Sequence, residues 1–496
     1  MKKTIKAGFL LLFISVYGCS STTEITNDKI DRLPELRQKI QQRFDDSTFS
    51  HAHWGAQIKS LETGEIWYEQ NSNKMFMPAS NEKIITSAAA LTKLGPSFKF
   101  TTEVFYTGEI KDSVLFGNLI VRSNGDPTFY LRFYDDPREI FFQWAKKLDS
   151  LGIKKITGDV IGDDNLFDDE HLGSGWSYDY LDSWYAAEVG ALQFNENYVD
   201  LKIYPPRTKD ESTVIIPNVE SRFYNIVNKL EAVDTGKTDF SVTRDFGSND
   251  IVIEGIVKIG DKFYSVSPSI TNPTLYYATA LKEALEKSGL KVDGYAMDID
   301  DVDTFAVSDT IKIFTHYSPP LMDILKELMK VSQNLYAETM TRLLGLVEYG
   351  EGSFKNGKKV IQEVLESFGI EKDTYSYADG SGLTRYNFVS PEQLVIILSE
   401  MYKSQYKDIW IDMLPIAGVD GTLRNRMKGT SAENNVKAKT GTISNVRGLS
   451  GYVTTGDGEE LVFSFLVNGH LLTSKDTEKI TDSILEMITD FRRVNL

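Results

Sequence analysis

The chain has 496 residues, 41% of them hydrophobic and 25% charged, with a formal net charge of −17. That length exceeds what one hydrophobic core organises, so two or more domains are expected. The acidity argues against a nucleic-acid binder, which needs a basic face. The five histidines and the single Cys19 suggest no disulfide framework and no metal site.

The N-terminus reads as a targeting segment. Lys2, Lys3 and Lys6 precede the apolar run 7–17, which is too short to span a bilayer comfortably. Gly18-Cys19 follows, and 1–18 is expected to be a signal peptide. Residues 19–28 are polar and read as a tether. A helix is expected in 29–44, then a hairpin around Glu62-Thr63-Gly64. Residues 81–94 carry Ile84, Ile85, Ala88, Leu91 and Leu94 at helical spacing and stop at Gly95.

From 101 to 305 the texture becomes a succession of short β-like segments separated by Gly, Asn, Asp and Pro, with helical patterns only near 137–152 and 274–289. After 315 helices return, two of them meeting near Ser332. Consecutive strands follow across 436–469, with a turn at 454–460, then a closing amphipathic helix. The simplest arrangement is an α/β (α+β) domain, an antiparallel sheet covered by helices, built from 29–100 and 306–496, with 101–305 as a β-rich insertion.

Ser80 and Lys83 stand at the start of the 81–94 helix, one turn apart on one face. A hydroxyl beside an amine base, at the positive end of a helix dipole, suits a nucleophile. The motif alone is weak, because Ser288–Lys291 and Ser404–Lys407 repeat it at helix exits. Two further motifs give it a context. Ser332-Gln333-Asn334 offers a second hydroxyl and an amide at a helix junction, and Lys439-Thr440-Gly441-Thr442 lies on a strand. Ser80 can attack a carbonyl, and a neutral Lys83, its pKa depressed by burial and a second cation, can take the proton. Ser332 can pass that proton to a leaving nitrogen, and Asn334 can bond a substrate amide. Lys439 supplies positive potential, while Thr440 and Thr442 can bind a terminal carboxylate. Gly441 is expected to let substrate backbone lie close to the strand. The backbone N–H groups of Ser80 and Thr442 would form the oxyanion hole.

Ser-x-x-Lys, Ser-x-Asn and Lys-Thr-Gly in this order resemble the motif set of the penicillin-recognising serine enzymes. The long insertion between the first two, with stretches such as 123–129, 158–167, 191–199, 379–391 and 414–426, resembles the low-molecular-mass class C penicillin-binding proteins. These are D-alanyl-D-alanine carboxypeptidases and endopeptidases. The resemblance implies a penicillin-binding-protein/serine β-lactamase-like fold, an acyl-enzyme on Ser80, peptidoglycan stem peptides as substrates and β-lactams as covalent inhibitors. It implies no cofactor. It also implies a side-chain pocket built from Asp163, or the adjacent Asp164, with Arg385 and Ser444. Gln333 departs from the family, which often has Asp there. The run 16–19 resembles a lipoprotein processing box, so Cys19 is expected to carry a lipid and hold the exported protein to a membrane facing the periplasm. Two alternatives are a β-lactamase and a non-catalytic lipoprotein that binds cell-wall peptides.

Overall fold

The computed structural model describes residues 31–302 and 309–494. Cys19 and the leader lie outside them. A five-stranded antiparallel sheet forms the centre. Its strands run in the spatial order Lys437–Ile443, Val446–Thr454, Glu460–Asn468, His53–Ser60, Ile66–Gln70. The middle strand ELVFSFLVN is buried along nearly its whole length because both of its faces are covered. Val462 and Leu466 face one helical layer, while Phe463, Phe465 and Val467 face another. Two-sided burial explains why the sequence here is a continuous apolar run and not an alternation.

Helices Leu33–Phe44 and Ser474–Thr489 cover one face, through Leu36, Ile40, Ile484 and Ile488. The other face carries the helix Glu82–Leu94, which turns Ile84, Ile85, Ala88 and Leu91 into a core shared with helices Leu321–Val331, Asn334–Tyr349, Phe354–Ser367 and Pro391–Lys403. Gly95 ends the Glu82–Leu94 helix at φ 76°, as its composition requires. The antiparallel sheet between helical layers agrees with the expected fold class. Ser288 and Ser404 cap the C-terminal ends of helices Pro273–Lys287 and Pro391–Lys403, so both copies of Ser-x-x-Lys are helix exits as read.

The intervening chain builds a second core. A mixed five-stranded sheet runs Ala296–Asp298, Val160–Asp163, Leu119–Ser123, Thr101–Tyr106, Ile311–Tyr317. Helices Glu139–Ser150 and Pro273–Lys287 pack with it around Phe141, Trp144, Tyr277 and Leu281. Smaller sheets of three, three and four strands complete this part. The returning strand Ile311–Tyr317 pairs with Thr101–Tyr106, so entry and exit of this segment are adjacent.

Helices Asn334–Tyr349 and Phe354–Ser367 cross in backbone contact. A Cβ on Gly357 would stand 1.8 Å from the Thr341 carbonyl oxygen, and one on Gly345 would stand 2.7 Å from the Gly357 nitrogen. Gly357→Ala must therefore separate the two helices. It is expected to lower stability by roughly 2–4 kcal/mol, read from the denaturant midpoint.

Candidate active site

The chain enters the Glu82–Leu94 helix through a single tight turn, Ala79–Asn81. Ala79 has φ 47°, a left-handed value that a residue with a Cβ adopts at some strain. Packing on both sides holds the turn. A Cβ on Gly382 would lie 1.8 Å from the Ala79 carbonyl oxygen, and Gly382 itself has φ 82°. On the sheet side, Gly441 and Gly448 face each other across two strands. A Cβ on either would lie within 2.6 Å of Asn81 Nδ2. Gly441 thus has a structural purpose beyond the one expected: its missing side chain makes room for the nucleophile turn.

Lys83 is fully buried. Its Nζ lies 2.6 Å from Asn334 Oδ1, 2.7 Å from the Ser381 carbonyl oxygen and 3.0 Å from Ser80 Oγ. Burial holds its pKa down at about 7, against the opposing pull of Asp379, Glu338 and Glu82. Asn334 Nδ2 donates to the Tyr185 carbonyl at 2.6 Å, which fixes its Oδ1 as the atom facing Lys83. A neutral amine has two N–H donors and one lone pair. Asn334 Oδ1 and the Ser381 carbonyl can only accept, so they take the two donors. The lone pair is then left for the Ser80 hydroxyl, the one partner of the three that can donate.

Two buried carboxylates shape the segment that carries Ser381. Glu338 accepts from the backbone N–H groups of Gly380 and Ser381 at 3.0 and 2.9 Å. Asp379 accepts from Gly382, Thr384, Asn387 and Trp176. Glu82, fully buried beside them, has its pKa raised first by burial and then by Asp379.

Ser332 closes the helix Leu321–Val331 in a left-handed conformation, φ 64° and ψ 41°. Lys439 Nζ donates to Ser332 Oγ and to its neighbour's carbonyl, Thr440 O, both at 2.8 Å. Lys439 is also fully buried, and its pKa is pushed well down by burial and then by the charge of Lys83. The three motifs therefore converge, with each hydroxyl beside its own buried lysine. They border a cleft of about 610 Å³ lined by Ser80, Ser332, Asn334, Thr440, Gly441 and Thr442, together with Tyr180, Trp184 and Tyr185 from the intervening segment.

The remaining expected residues divide. Ser444 lines the cleft and its carbonyl accepts from Arg385 Nη2 at 3.0 Å, so these two meet at the rim. Asp163 does not join them. It is fully buried on the strand Val160–Asp163 and bonds Arg122 Nε at 2.9 Å and Nη2 at 2.5 Å. Asp164 accepts from Thr274 and is also buried. The expected acidic pocket wall is therefore corrected: both carboxylates serve the interior of the second core. Three groups of the site were not anticipated, namely the carbonyls of Tyr185 and Ser381 and the Thr422 hydroxyl, 2.8 Å from Thr440 Oγ1.

Comparison with known proteins decides the family. Residues 36–490 match the D-Ala-D-Ala carboxypeptidase 3 (S13) family. The chain belongs to that family. As an S13 member it is a serine-type peptidase. A D-alanyl-D-alanine carboxypeptidase from Actinomadura sp. is 31% identical over 461 residues, covering 88% of this chain and 82% of that protein. The D-alanyl-D-alanine carboxypeptidase DacB of Haemophilus influenzae is 28% identical over 422 residues, covering 83% and 84%. The crystal structure of penicillin binding protein 4 (dacB) from Haemophilus influenzae superposes with a TM-score of 0.77 at 25% identity, over 92% of this chain and 99% of that one. A second structure of that protein holds a β-lactam.

Because Lys83 must be neutral to accept a proton, and its pKa lies at about 7, the rate of acylation is expected to climb with pH through that value. Well below it the rate should fall about tenfold per pH unit, with the slope of one proton. Stopped-flow acylation by a β-lactam across pH 5–9 measures this limb.

Proposed function

We propose that this peptidase cleaves the D-alanyl ends or cross-links of peptidoglycan stem peptides through a covalent ester on Ser80. The observation that carries the reading is the placement of Lys83 Nζ, with two fixed acceptors on one side and Ser80 Oγ at 3.0 Å on the other. Ser80 Oγ attacks the carbonyl of the penultimate D-alanine while its proton moves to Lys83. Charge gathers on the carbonyl oxygen, for which the N–H groups of Ser80 and Thr442 are the donors. The C–N bond breaks as Ser332 delivers a proton to the departing nitrogen. Ser332 is resupplied with the proton that Lys83 took from Ser80, so Lys83 is neutral again when the nitrogen leaves; Lys439 orients Ser332 Oγ by its hydrogen bond. Water then hydrolyses the ester and returns Ser80 to its hydroxyl form. No step needs a metal or cofactor.

The substrate's free carboxylate is assigned to Thr440 and Thr442, which line the cleft with Ser444, and to Arg385, which bonds the Ser444 carbonyl. The wide aromatic side with Tyr180, Trp184 and Tyr185 suits the longer partner of a cross-linked peptide, so endopeptidase action belongs to the proposal. The β-lactam complex of the Haemophilus protein supports β-lactams as ligands here. Export of the chain, with lipid attachment at Cys19, is part of the same reading and would place the cleft beside the cell wall. Among the described residues no helix is long and apolar enough to cross a membrane. The division into 29–100 with 306–496, and 101–305 inserted, is retained as the working domain scheme.

Labelling with a fluorescent penicillin followed by peptide mapping tests the nucleophile. One stable adduct on Ser80 is expected, absent from Ser80→Ala. Lys83→Ala should slow its formation on the order of a thousandfold or more. An unlabelled wild-type protein would overturn the acyl-enzyme, and rapid release of hydrolysed drug would indicate a β-lactamase.

A further inference from the structure

The segment 193–198 of the intervening chain carries an unusual backbone. Asn195, Glu196 and Asn197 have φ values of 53°, 52° and 55°, three successive left-handed residues without a glycine among them. Such a run is strained and persists only where its surroundings hold it. Here they do. Asn195 Nδ2 donates to the Tyr198 carbonyl at 2.6 Å, and Asn197 Nδ2 donates to the Glu188 carbonyl at 2.8 Å. All three residues are buried.

What the turn presents is the Glu196 carboxylate, 1% exposed. Its Oε1 accepts from Arg132 Nε and Tyr336 OH, each at 2.7 Å. Its Oε2 accepts from Tyr198 OH and from Gln333 Nε2, each at 2.5 Å. A carboxylate saturated in this way is a rigid anchor. Gln333 is the middle residue of Ser332-Gln333-Asn334. Its other end is also held, since Oε1 accepts from the Leu335 N–H at 3.3 Å and caps the helix Asn334–Tyr349. Further along that helix, Tyr336, which bonds the same carboxylate, and Thr339 are neighbours at i, i+3. Gln193 reaches the second of them, Thr339 Oγ1, at 2.7 Å. One short turn thus grips the helix that begins at the catalytic motif.

The bond has a geometric consequence. Ser332 is left-handed and Asn334 is the first residue of a helix, so the two side chains diverge from a sharp bend at Gln333. Fixing Gln333 fixes both directions at once, Ser332 Oγ toward Lys439 and Asn334 Oδ1 toward Lys83. We propose that Glu196 is a positioning residue for acyl transfer, acting through Gln333 to aim Ser332 and Asn334 at their lysines. The intervening segment is then part of the catalytic machinery even though it supplies no reacting atom.

The inference rests on the acyl-enzyme reading, and the test keeps the two apart. Wild type, Glu196→Gln, Gln333→Leu and the double variant are titrated with fluorescent penicillin, so that rates refer to active sites and not to total protein. Gln333→Leu leaves the Arg132–Glu196 ion pair intact and guards against loss of folding in Glu196→Gln. Each single variant should lower kcat on a D-alanyl-D-alanine peptide by roughly ten- to a hundredfold with KM within about twofold, since misaimed groups slow the chemistry more than binding. The double variant should be no slower than the slower single, because both break one bond. Unchanged kcat per titrated site in Gln333→Leu, or losses that multiply in the double variant, would overturn the positioning role. Failure of the wild type to label at all would instead overturn the acyl-enzyme.

Discussion

Two lysine side chains buried in one small site are the constraint on which this molecule is built. Removing an ammonium ion from water is expensive, and removing two side by side is more so. The fold offsets this in two ways. Burial favours the neutral form of both lysines, and at Lys439 the charge of Lys83 adds to it. Fixed acceptors then receive the N–H groups: Asn334 Oδ1 and the Ser381 carbonyl for Lys83, Ser332 Oγ and the Thr440 carbonyl for Lys439. These acceptors come from segments far apart in sequence. Satisfying the lysines therefore assembles the site, and the base chemistry is a by-product of the same burial.

The carboxylates have complementary duties. Glu338 and Asp379 do not face the cleft. They bind backbone N–H groups of the 379–384 turn and so hold the Ser381 carbonyl toward Lys83. Their charge opposes the downward shift of Lys83, which keeps its pKa near neutrality and stops it from falling further. Proton affinity and position are thus set by the same groups.

The legibility of these parts in the sequence follows from what each part is made of. Ser80, Lys83, Ser332, Asn334 and Lys439 were readable because each motif is local and its order along the chain is specific. The helix stop at Gly95 and a helix junction near Ser332 were readable from composition and spacing, whereas the left-handed backbone of Ser332 was not. Asp163 was assigned to the pocket by resemblance alone, and its strand is buried on both sides, so alternation could not have tested the assignment. The carbonyls of Tyr185 and Ser381 left no trace, since any residue type supplies a carbonyl. Gly441 was visible as a glycine, but its purpose depended on a neighbour in the Ala79–Asn81 turn, 360 positions earlier in the case of Asn81. Glu196 sits in 191–199, a stretch that entered only through the resemblance, and its part in the site shows first in three dihedral angles.

The facing glycines at 441 and 448 leave a gap in the sheet, and Asn81 fills it. Apart from Asn81 itself, the contact at Gly441 is with Pro78 and Ala79 of the turn, with no long side chain to act as a cushion. Any thermal displacement of the sheet is therefore passed directly to Ser80, and relative motion between them is suppressed. The nucleophile and the strand that would align the substrate drift together, as one rigid piece. A peptide docked along that strand would keep its distance from Ser80 even while the rest of the molecule breathes.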